Sequence, residues 1–180
     1  MTFISFFRRH FPWIIVLAYV MLIYATLGSV RCLSDALRGW GLLGGVTLGI
    51  LLLLCGVVIA AGLRRPLSRG ARGLVVLLLG GMVSGTLFLL PLPEERLHVV
   101  EYGILGWLLG WALSRSGKWP TWWGAGVLLA WLIGCGDEMI QRLLPNRVFD
   151  VHDILLNGIA GMIGLTIFAI LAGKTDGKRT

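Results

Sequence analysis

GWGLLGGVTLGILLLLCGVVIAAGL, residues 39–63, runs for 25 positions without a formally charged side chain. An apolar helix of about 20 residues can cross the hydrocarbon core of a bilayer, so this stretch predicts a membrane-spanning helix. The composition of the whole chain agrees: 57% of its 180 residues are hydrophobic, 14% are charged, and the mean hydropathy is +0.85. A soluble domain needs more charge to cover its surface, so this composition excludes that class.

Four more uncharged runs are close to or above the length of about 18 residues that a span requires. A sixth segment, Leu97 to Ser114, is interrupted only by His98 and Glu101. The six prolines, Pro12 included, fall near the expected helix starts or loops, where proline is tolerated best. We therefore predict an all-α, polytopic transmembrane bundle of about six helices. The four runs are Phe11 to Val30, Gly73 to Pro93, Trp119 to Gly136 and Ile154 to Gly173.

The bundle is expected to form one compact membrane domain. Within it, residues 1–90 make an N-terminal three-helix region, residues 91–173 a second three-helix region, and residues 174–180 a tail. The first apolar run has an alternative interpretation as a cleaved signal peptide, because Arg8 and Arg9 precede it and small residues end it. Its length favours a retained helix.

Basic and acidic residues divide between the two sides of the predicted bundle. Lys and Arg in short loops are retained on the cytoplasmic side of a membrane. With the N-terminus inside, 11 of the 16 basic residues are cytoplasmic, and eight of the nine acids lie outside, Asp176 being the exception. We therefore expect both termini in the cytoplasm, with residues 174–180 as a cytoplasmic tail. The basic inner surface suits the headgroups of the lipid bilayer and does not indicate nucleic acid.

Glycines at four-residue spacing form three stripes. Helices in lipid associate by close approach of small residues, so each stripe predicts a packing face. Packing inside this chain is the favoured interpretation, and oligomerisation through the glycine faces is the alternative. The stripes are Gly41, Gly45 and Gly49; Gly81 and Gly85; and Gly106 and Gly110.

Helices four and five carry ionisable residues inside apolar runs, which is costly unless those groups are paired or hydrated. On helix four, Glu101 and Tyr102 follow His98 by three and four residues, so the three side chains are predicted to share one side. On helix five, Asp137 and Glu138 are neighbours whose side chains diverge by about 100°, so one of them is expected to face the bundle interior.

Helix six begins with a polar stripe at three- and four-residue spacing, made by Asp150, Asp153 and Asn157. Asp150 or Asp153 is a candidate N-terminal cap, where a carboxylate accepts free amide bonds. A cap does not explain Asn157, which lies a turn deeper. Short connections join helices four, five and six, and all three carry polar groups at the same membrane level. We infer one outward-facing polar pocket.

Three blocks of sequence carry a family resemblance: RLHVVEYGILGWLL (96–109), DEMIQRLLPNR (137–147) and FDVHDILLNGIAGMIG (149–164). Together they resemble the VanZ-like family of membrane proteins. The resemblance implies a bacterial cell-envelope protein of the inner membrane, and the family's founding member is associated with low-level resistance to the glycopeptide antibiotic teicoplanin. The residues that match the family pattern are His98, Tyr102, Glu138, Gln141, Arg147, Asp150, Asp153 and Asn157.

The first functional hypothesis is that the pocket binds a lipid-linked or phospholipid headgroup, or another phosphorylated one, at the outer leaflet. Modification of that headgroup is left open. Arg147 and Arg142 would hold phosphate through their forked donors. The further predicted binding residues are Tyr102, Gln141 and Asn157.

A divalent metal ion is the candidate cofactor. Glu138, Asp150 and Asp153 offer the oxygen ligands that Mg²⁺ or Ca²⁺ prefers, and His98 would also admit Zn²⁺ or Mn²⁺. If the protein is an enzyme, His98 or Glu101 would be its acid or base, with Glu138 and Asp153 as further catalytic candidates.

Two alternatives use the same residues. Intramembrane carboxylates and histidines also form proton or small-solute paths in transporters. The cluster could instead only lock helices together, through the pairs Glu138 with Arg147 and Asp150 with Arg142.

Overall fold

The computed structural model describes residues 3–90, 92–93, 95–115, 121–144 and 149–173, with the side chains of residues 3–9, 30 and 31 excepted. Over these ranges the protein is helical and has no β-strand, which confirms the all-α prediction. Arg147 and the tail 174–180 lie outside the described residues. The helices are α1 (Phe3–Gly39), α2 (Leu43–Leu63), α3 (Arg69–Phe88), α4 (Glu95–Leu113), α5 (Thr121–Gln141) and α6 (Val151–Leu171).

Five of these helices are long and apolar enough to cross a membrane: α1 over His10–Ser29, and α2, α3, α5 and α6 over their whole lengths. The prediction of a multi-pass membrane protein is thereby confirmed. α4 is the exception, and its first half carries Arg96, His98 and Glu101. It contacts each of the other five helices. The helix that is not apolar enough to count as a span is therefore the one that packs against all the others.

α1 is longer than its apolar run and ends differently from the prediction. Its 37 residues correspond to about 55 Å, well beyond the thickness of a bilayer core. Pro12 lies inside α1 and is buried, so its predicted place at a helix start is wrong. Membrane helices tolerate an internal proline because surrounding groups compensate for the lost amide bond.

Side-chain contacts fix the direction of the helices. The Tyr19 hydroxyl donates to the backbone carbonyl of Glu101 at 3.1 Å, and the rings of Phe11 and Trp111 meet edge to face at 6.2 Å, so α1 runs antiparallel to α4. Gly44 lies beside Pro93, just before α4 begins. The end of the bundle at which α2, α4 and α6 begin and α1, α3 and α5 end is called the acidic end below.

Backbone contact between α4 and α6 forms the centre of the structure. A Cβ atom on Gly106 would overlap the backbone carbonyl of Gly161, and one on Gly164 would overlap the carbonyl of Gly103. A Cβ on Gly110 would come within 2.7 Å of the Phe168 ring. These five glycines are called the α4–α6 glycine interface. The interface confirms the predicted packing role of the stripe made by Gly106 and Gly110.

The other two glycine stripes do not pack within the chain. Cβ atoms on Gly45, Gly49, Gly81 and Gly85 would meet nothing within 4 Å among the described residues, so the packing prediction is wrong for these stripes. These positions on α2 and α3 point away from the neighbouring helices that the structure describes. Oligomerisation through these faces stays a prediction.

Gly41, the first member of the stripe on α2, has a different role. Its φ is +68°, which L side chains rarely adopt. Its N–H donates to the carbonyl of Arg38, and the N–H of Leu42 donates to that of Leu37. This Schellman arrangement ends α1 and satisfies its last carbonyl groups.

Alanine at Gly106 should destabilise the fold, because its methyl group would overlap the α6 backbone. Overpacking of this kind costs about 1–3 kcal/mol. We expect Gly106→Ala to lower the melting temperature measured by circular dichroism in detergent. The matched control is Gly49→Ala on the open face of α2, where better helix propensity should leave stability unchanged or raise it by up to about 1 kcal/mol. Equal melting temperatures for the two variants would contradict the close contact.

Candidate functional site

Polar side chains from three helices meet at the acidic end. α4 contributes its first turns, α5 its last turn, and α6 its start, so the short α5–α6 connection and the α4–α6 glycine interface together position the group. Most of these side chains are almost fully buried: His98 is 9% exposed, Gln141 2%, and Tyr102, Glu138 and Asn157 are at 0%. The polar cluster, as it is called below, consists of His98, Tyr102, Asp137, Glu138, Gln141, Asp153 and Asn157.

His98 lies between carboxylates of two different helices. Its Nε2 atom is 3.8 Å from Oδ2 of Asp153 on α6, and its Nδ1 atom is 3.8 Å from Oδ2 of Asp137 on α5. Both distances are longer than a direct hydrogen bond but short enough for an ion pair when the imidazole is protonated. The Asp137 side chain is fully buried, whereas that of Asp153 is 19% exposed. The cluster therefore reaches the protein surface on the Asp153 side.

Glu138 is held by two hydrogen bonds, one to each carboxylate oxygen. Gln141 Nε2 donates to Oε1 at 3.0 Å, and the backbone N–H of Asp150 donates to Oε2 at 2.9 Å. A carboxylate oxygen has two lone pairs, so both oxygens can still accept a ligand. Bonds of this kind fix the orientation of a group in the way that outer-shell partners orient metal ligands.

Tyr102 and Asn157 form the deeper part of the cluster. The Tyr102 hydroxyl donates to Oδ2 of Asp137 at 3.2 Å. Asn157 lies one turn below Asp153 on the same face of α6 and packs against Gly134. Both amide atoms of Asn157 are buried without a hydrogen-bond partner among the described residues. A buried amide in that state is costly, so this position suits a polar ligand or a water molecule.

Asp150 turns away from the other acids and caps α6. Its Oδ1 accepts the backbone N–H of His152 at 2.8 Å and lies 3.0 Å from the Nδ1 atom of that ring. These contacts, the backbone bond first, hold the pKa of Asp150 below its usual range. Of the two candidates for the N-terminal cap, Asp150 makes the bond to the helix start.

The remaining predicted site residues stand apart from this centre. Glu101 is half-buried on α4, and its backbone carbonyl receives the Tyr19 hydroxyl from α1. Arg142 follows the end of α5 and is exposed. Arg147 belongs to the undescribed part of the α5–α6 connection, so its predicted contact with phosphate has no structural description.

Asp137 is the residue that sequence reasoning missed. The sequence led us to expect one member of the Asp137 and Glu138 pair inside the bundle, yet both are fully buried. α5 packs against α4, α6 and α1, so two side chains that diverge by about 100° can both point at protein. His98 and Tyr102 lie four residues apart on one face of α4, and both approach Asp137. This spacing was the available sequence signal that a polar partner faces them from a neighbouring helix.

Three potential metal ligands converge at the outer part of the polar cluster. One ligand atom each from His98, Glu138 and Asp153 lies within 4.8 Å of the other two. A divalent ion could be held there after small side-chain shifts, since metal–ligand bonds of about 2.1 Å need slightly closer donors. One imidazole nitrogen and two carboxylate oxygens suit Zn²⁺ or Mn²⁺. His98 thus belongs to this group of potential ligands. Asp150, which the sequence predicted as a metal ligand, caps α6 instead.

Comparison with known proteins gives one match. A family model described as VanZ/LLP1 matches residues 42–172, whereas no curated protein and no solved structure matches the chain. The matched range contains α2 to α6 and every residue of the polar cluster. It also includes α2 and α3, which lie before the three motif blocks. The agreement of the motifs with a match over most of the chain establishes that the protein belongs to the VanZ/LLP1 family.

Proposed function

We propose that the polar cluster binds a divalent cation and, through it, a phosphorylated or lipid-linked headgroup of the cell envelope. The observation that carries this proposal is the convergence of His98, Glu138 and Asp153 from three different helices. A cation between them would be attracted by two carboxylates and ligated by one imidazole. In an apolar bundle it would also offset the cost of burying negative charge.

The headgroup would complete the coordination of the cation. A metal ion with three protein ligands keeps an open position, which a phosphate oxygen can occupy. The partly exposed Asp153 lies where such a ligand would enter, and the Asn157 amide offers a donor and an acceptor deeper in the cluster. Arg142 at the end of α5 and Arg147 beyond it are the arginines nearest along the chain to Asp153. The proposal concerns binding; acid or base roles for His98 and Glu101 remain predictions from the sequence.

The cluster is proposed to face away from the cytoplasm, with α4 as a sixth crossing. α4 has 19 residues, about 28 Å of helix, and lies against α6 from Gly103 to Gly110. Six crossings place both termini on one side. Arg64 and Arg65 in the α2–α3 connection and Arg69 at the start of α3 lie at the end opposite the acidic end. The rule that basic loops stay inside therefore supports this orientation.

This orientation connects the site with the family. An outward site in the cytoplasmic membrane meets lipid-linked cell-wall precursors, on which glycopeptide antibiotics act. Teicoplanin resistance, associated with the family's founding member, would follow for this chain only if the headgroup belongs to such a precursor.

Metal binding is tested by comparing two neighbouring aspartates. We expect wild-type protein in detergent to bind Mn²⁺, measured as the loss of the free-ion signal in electron paramagnetic resonance. Asp153→Asn should weaken this binding about ten-fold or more, because a ligand is lost. Asp150→Asn should leave affinity unchanged, since asparagine also caps a helix. Equal losses in the two variants, or no binding by the wild type, would refute the proposed set of ligands.

Headgroup binding is tested with glycerol 3-phosphate, which has a phosphate but no hydrocarbon chain. Free Mn²⁺ broadens the ³¹P resonance of glycerol 3-phosphate. Adding the protein should broaden this resonance further. EDTA or Asp153→Asn should abolish the protein-dependent broadening. Arg142→Gln should weaken binding about ten-fold if its guanidinium holds phosphate. Binding that survives both EDTA and Asp153→Asn would place the headgroup outside the cluster.

Orientation is tested by cysteine labelling in a Cys32→Ser background. A membrane-impermeant maleimide should label Val151→Cys, an exposed position at the start of α6, in intact cells. Gly70→Cys, near the start of α3, should react only after permeabilisation. The reverse pattern would place the polar cluster in the cytoplasm and end the proposed envelope role.

A further inference from the structure

A cavity of about 370 Å³ lies within the bundle between α2, α3, α4 and α6. Its walls are apolar throughout. α4 supplies Val100, Gly103 and Trp107, and the facing wall includes Leu54 of α2 and Met82 of α3. This cavity is called the apolar groove below. No residue of the polar cluster lines it.

The apolar groove and the polar cluster lie on opposite sides of α4. His98 and Tyr102 point toward α5, whereas Val100, Gly103 and Trp107 are spaced at three and four residues along the opposite face. The α4–α6 glycine interface closes the space between them. The groove therefore belongs to a separate site, and it does not depend on the function proposed for the polar cluster.

Arg96 occupies the same face of α4 as the groove, one turn nearer the acidic end. It precedes Val100 by four residues, Gly103 by seven and Trp107 by eleven, all helical repeats of one face. Helical side chains lean toward the N-terminus, so the guanidinium lies beyond the outer end of the groove. Arg96 Nε is buried and has no hydrogen-bond partner among the described residues. A phosphate oxygen is the acceptor that best matches such a donor.

We propose that the apolar groove and Arg96 together bind one anionic phospholipid of the surrounding bilayer. Its phosphate would accept hydrogen bonds from Arg96, and one acyl chain would lie along α4 from Val100 to Trp107, a distance of about 10 Å. The volume fits this occupant: about 150 Å³ already holds benzene in a protein cavity. A helix of a second copy, about 10 Å across, would need roughly twice the 370 Å³ available over that length.

Gly103 provides a way to fill the groove without disturbing the fold. A Cβ atom there would meet nothing within 4 Å among the described residues, although the Gly103 carbonyl contacts α6 on the other side. Phenylalanine at this position would therefore occupy the space of the acyl chain. Gly124 on α5 offers a matched control, because a Cβ there is equally free and α5 does not line the groove.

The test uses phosphatidylglycerol with a diazirine on one acyl chain, as a minor component of phosphatidylcholine vesicles that contain the full-length protein. After irradiation, peptide mass spectrometry should find label on residues 100–107 of α4, well above the label on the lipid-exposed Leu77. Gly103→Phe and Arg96→Gln should each reduce the α4 label about ten-fold, whereas Gly124→Phe should retain most of it. Arg96→Lys, which keeps the positive charge but loses the guanidinium donors, should give an intermediate label. Melting temperatures would confirm that each variant is folded.

Ala61→Phe narrows the groove from α2 and replaces Gly103→Phe if that variant does not fold. Labelling of α4 that equals labelling of Leu77, or that survives both Arg96→Gln and a groove-filling variant, would overturn the proposal. Crosslinks between two protein chains through α4 would overturn it as well. EDTA should leave the acyl-chain label unchanged while it abolishes glycerol 3-phosphate binding, so the two proposals fail independently.

Discussion

Backbone contact between α4 and α6 is the constraint on which the rest of the structure depends. A side chain on Gly106 would overlap the carbonyl group of Gly161, and one on Gly164 would overlap the carbonyl group of Gly103 one turn away. In a bilayer, helices gain no hydrophobic driving force from association, so close packing of small residues supplies the attraction. The contact also brings the two helix starts together, which places His98 3.8 Å from Asp153.

The central position of α4 explains how an apolar bundle accommodates so many ionisable groups. Charged side chains facing lipid are costly, whereas those facing protein can find partners. Gln141 and the backbone of Asp150 hold Glu138, and the Tyr102 hydroxyl binds Asp137. The helix whose first half carries Arg96, His98 and Glu101 is thus the one that every other helix touches. α4 lies within the part of the chain that matches the VanZ/LLP1 family model.

The two proposed sites lie on opposite faces of α4 and suit different parts of a lipid. On the α5 side, carboxylates and an imidazole suit a cation and a phosphorylated headgroup. On the α2 and α3 side, an apolar groove below Arg96 suits a hydrocarbon chain with a phosphate at its outer end. Arg96 and the polar cluster both lie at the acidic end, whereas the groove runs from Arg96 toward the middle of the bundle, so both proposals concern lipids of the same leaflet. The α4–α6 glycine interface keeps the two sites apart.

The sequence by itself determined the membrane class, the approximate helix bounds and the positions of the three polar blocks, because apolar run length and helical spacing depend only on local order along the chain. It also narrowed the α6 cap to Asp150 or Asp153. Only the tertiary structure decided that Asp150 caps α6 while Asp153 joins His98, that Asp137 is buried beside Glu138, and that one of three glycine stripes packs internally. Spacing fixes the direction of a side chain around its own helix axis, but the neighbour it meets depends on how separate helices assemble.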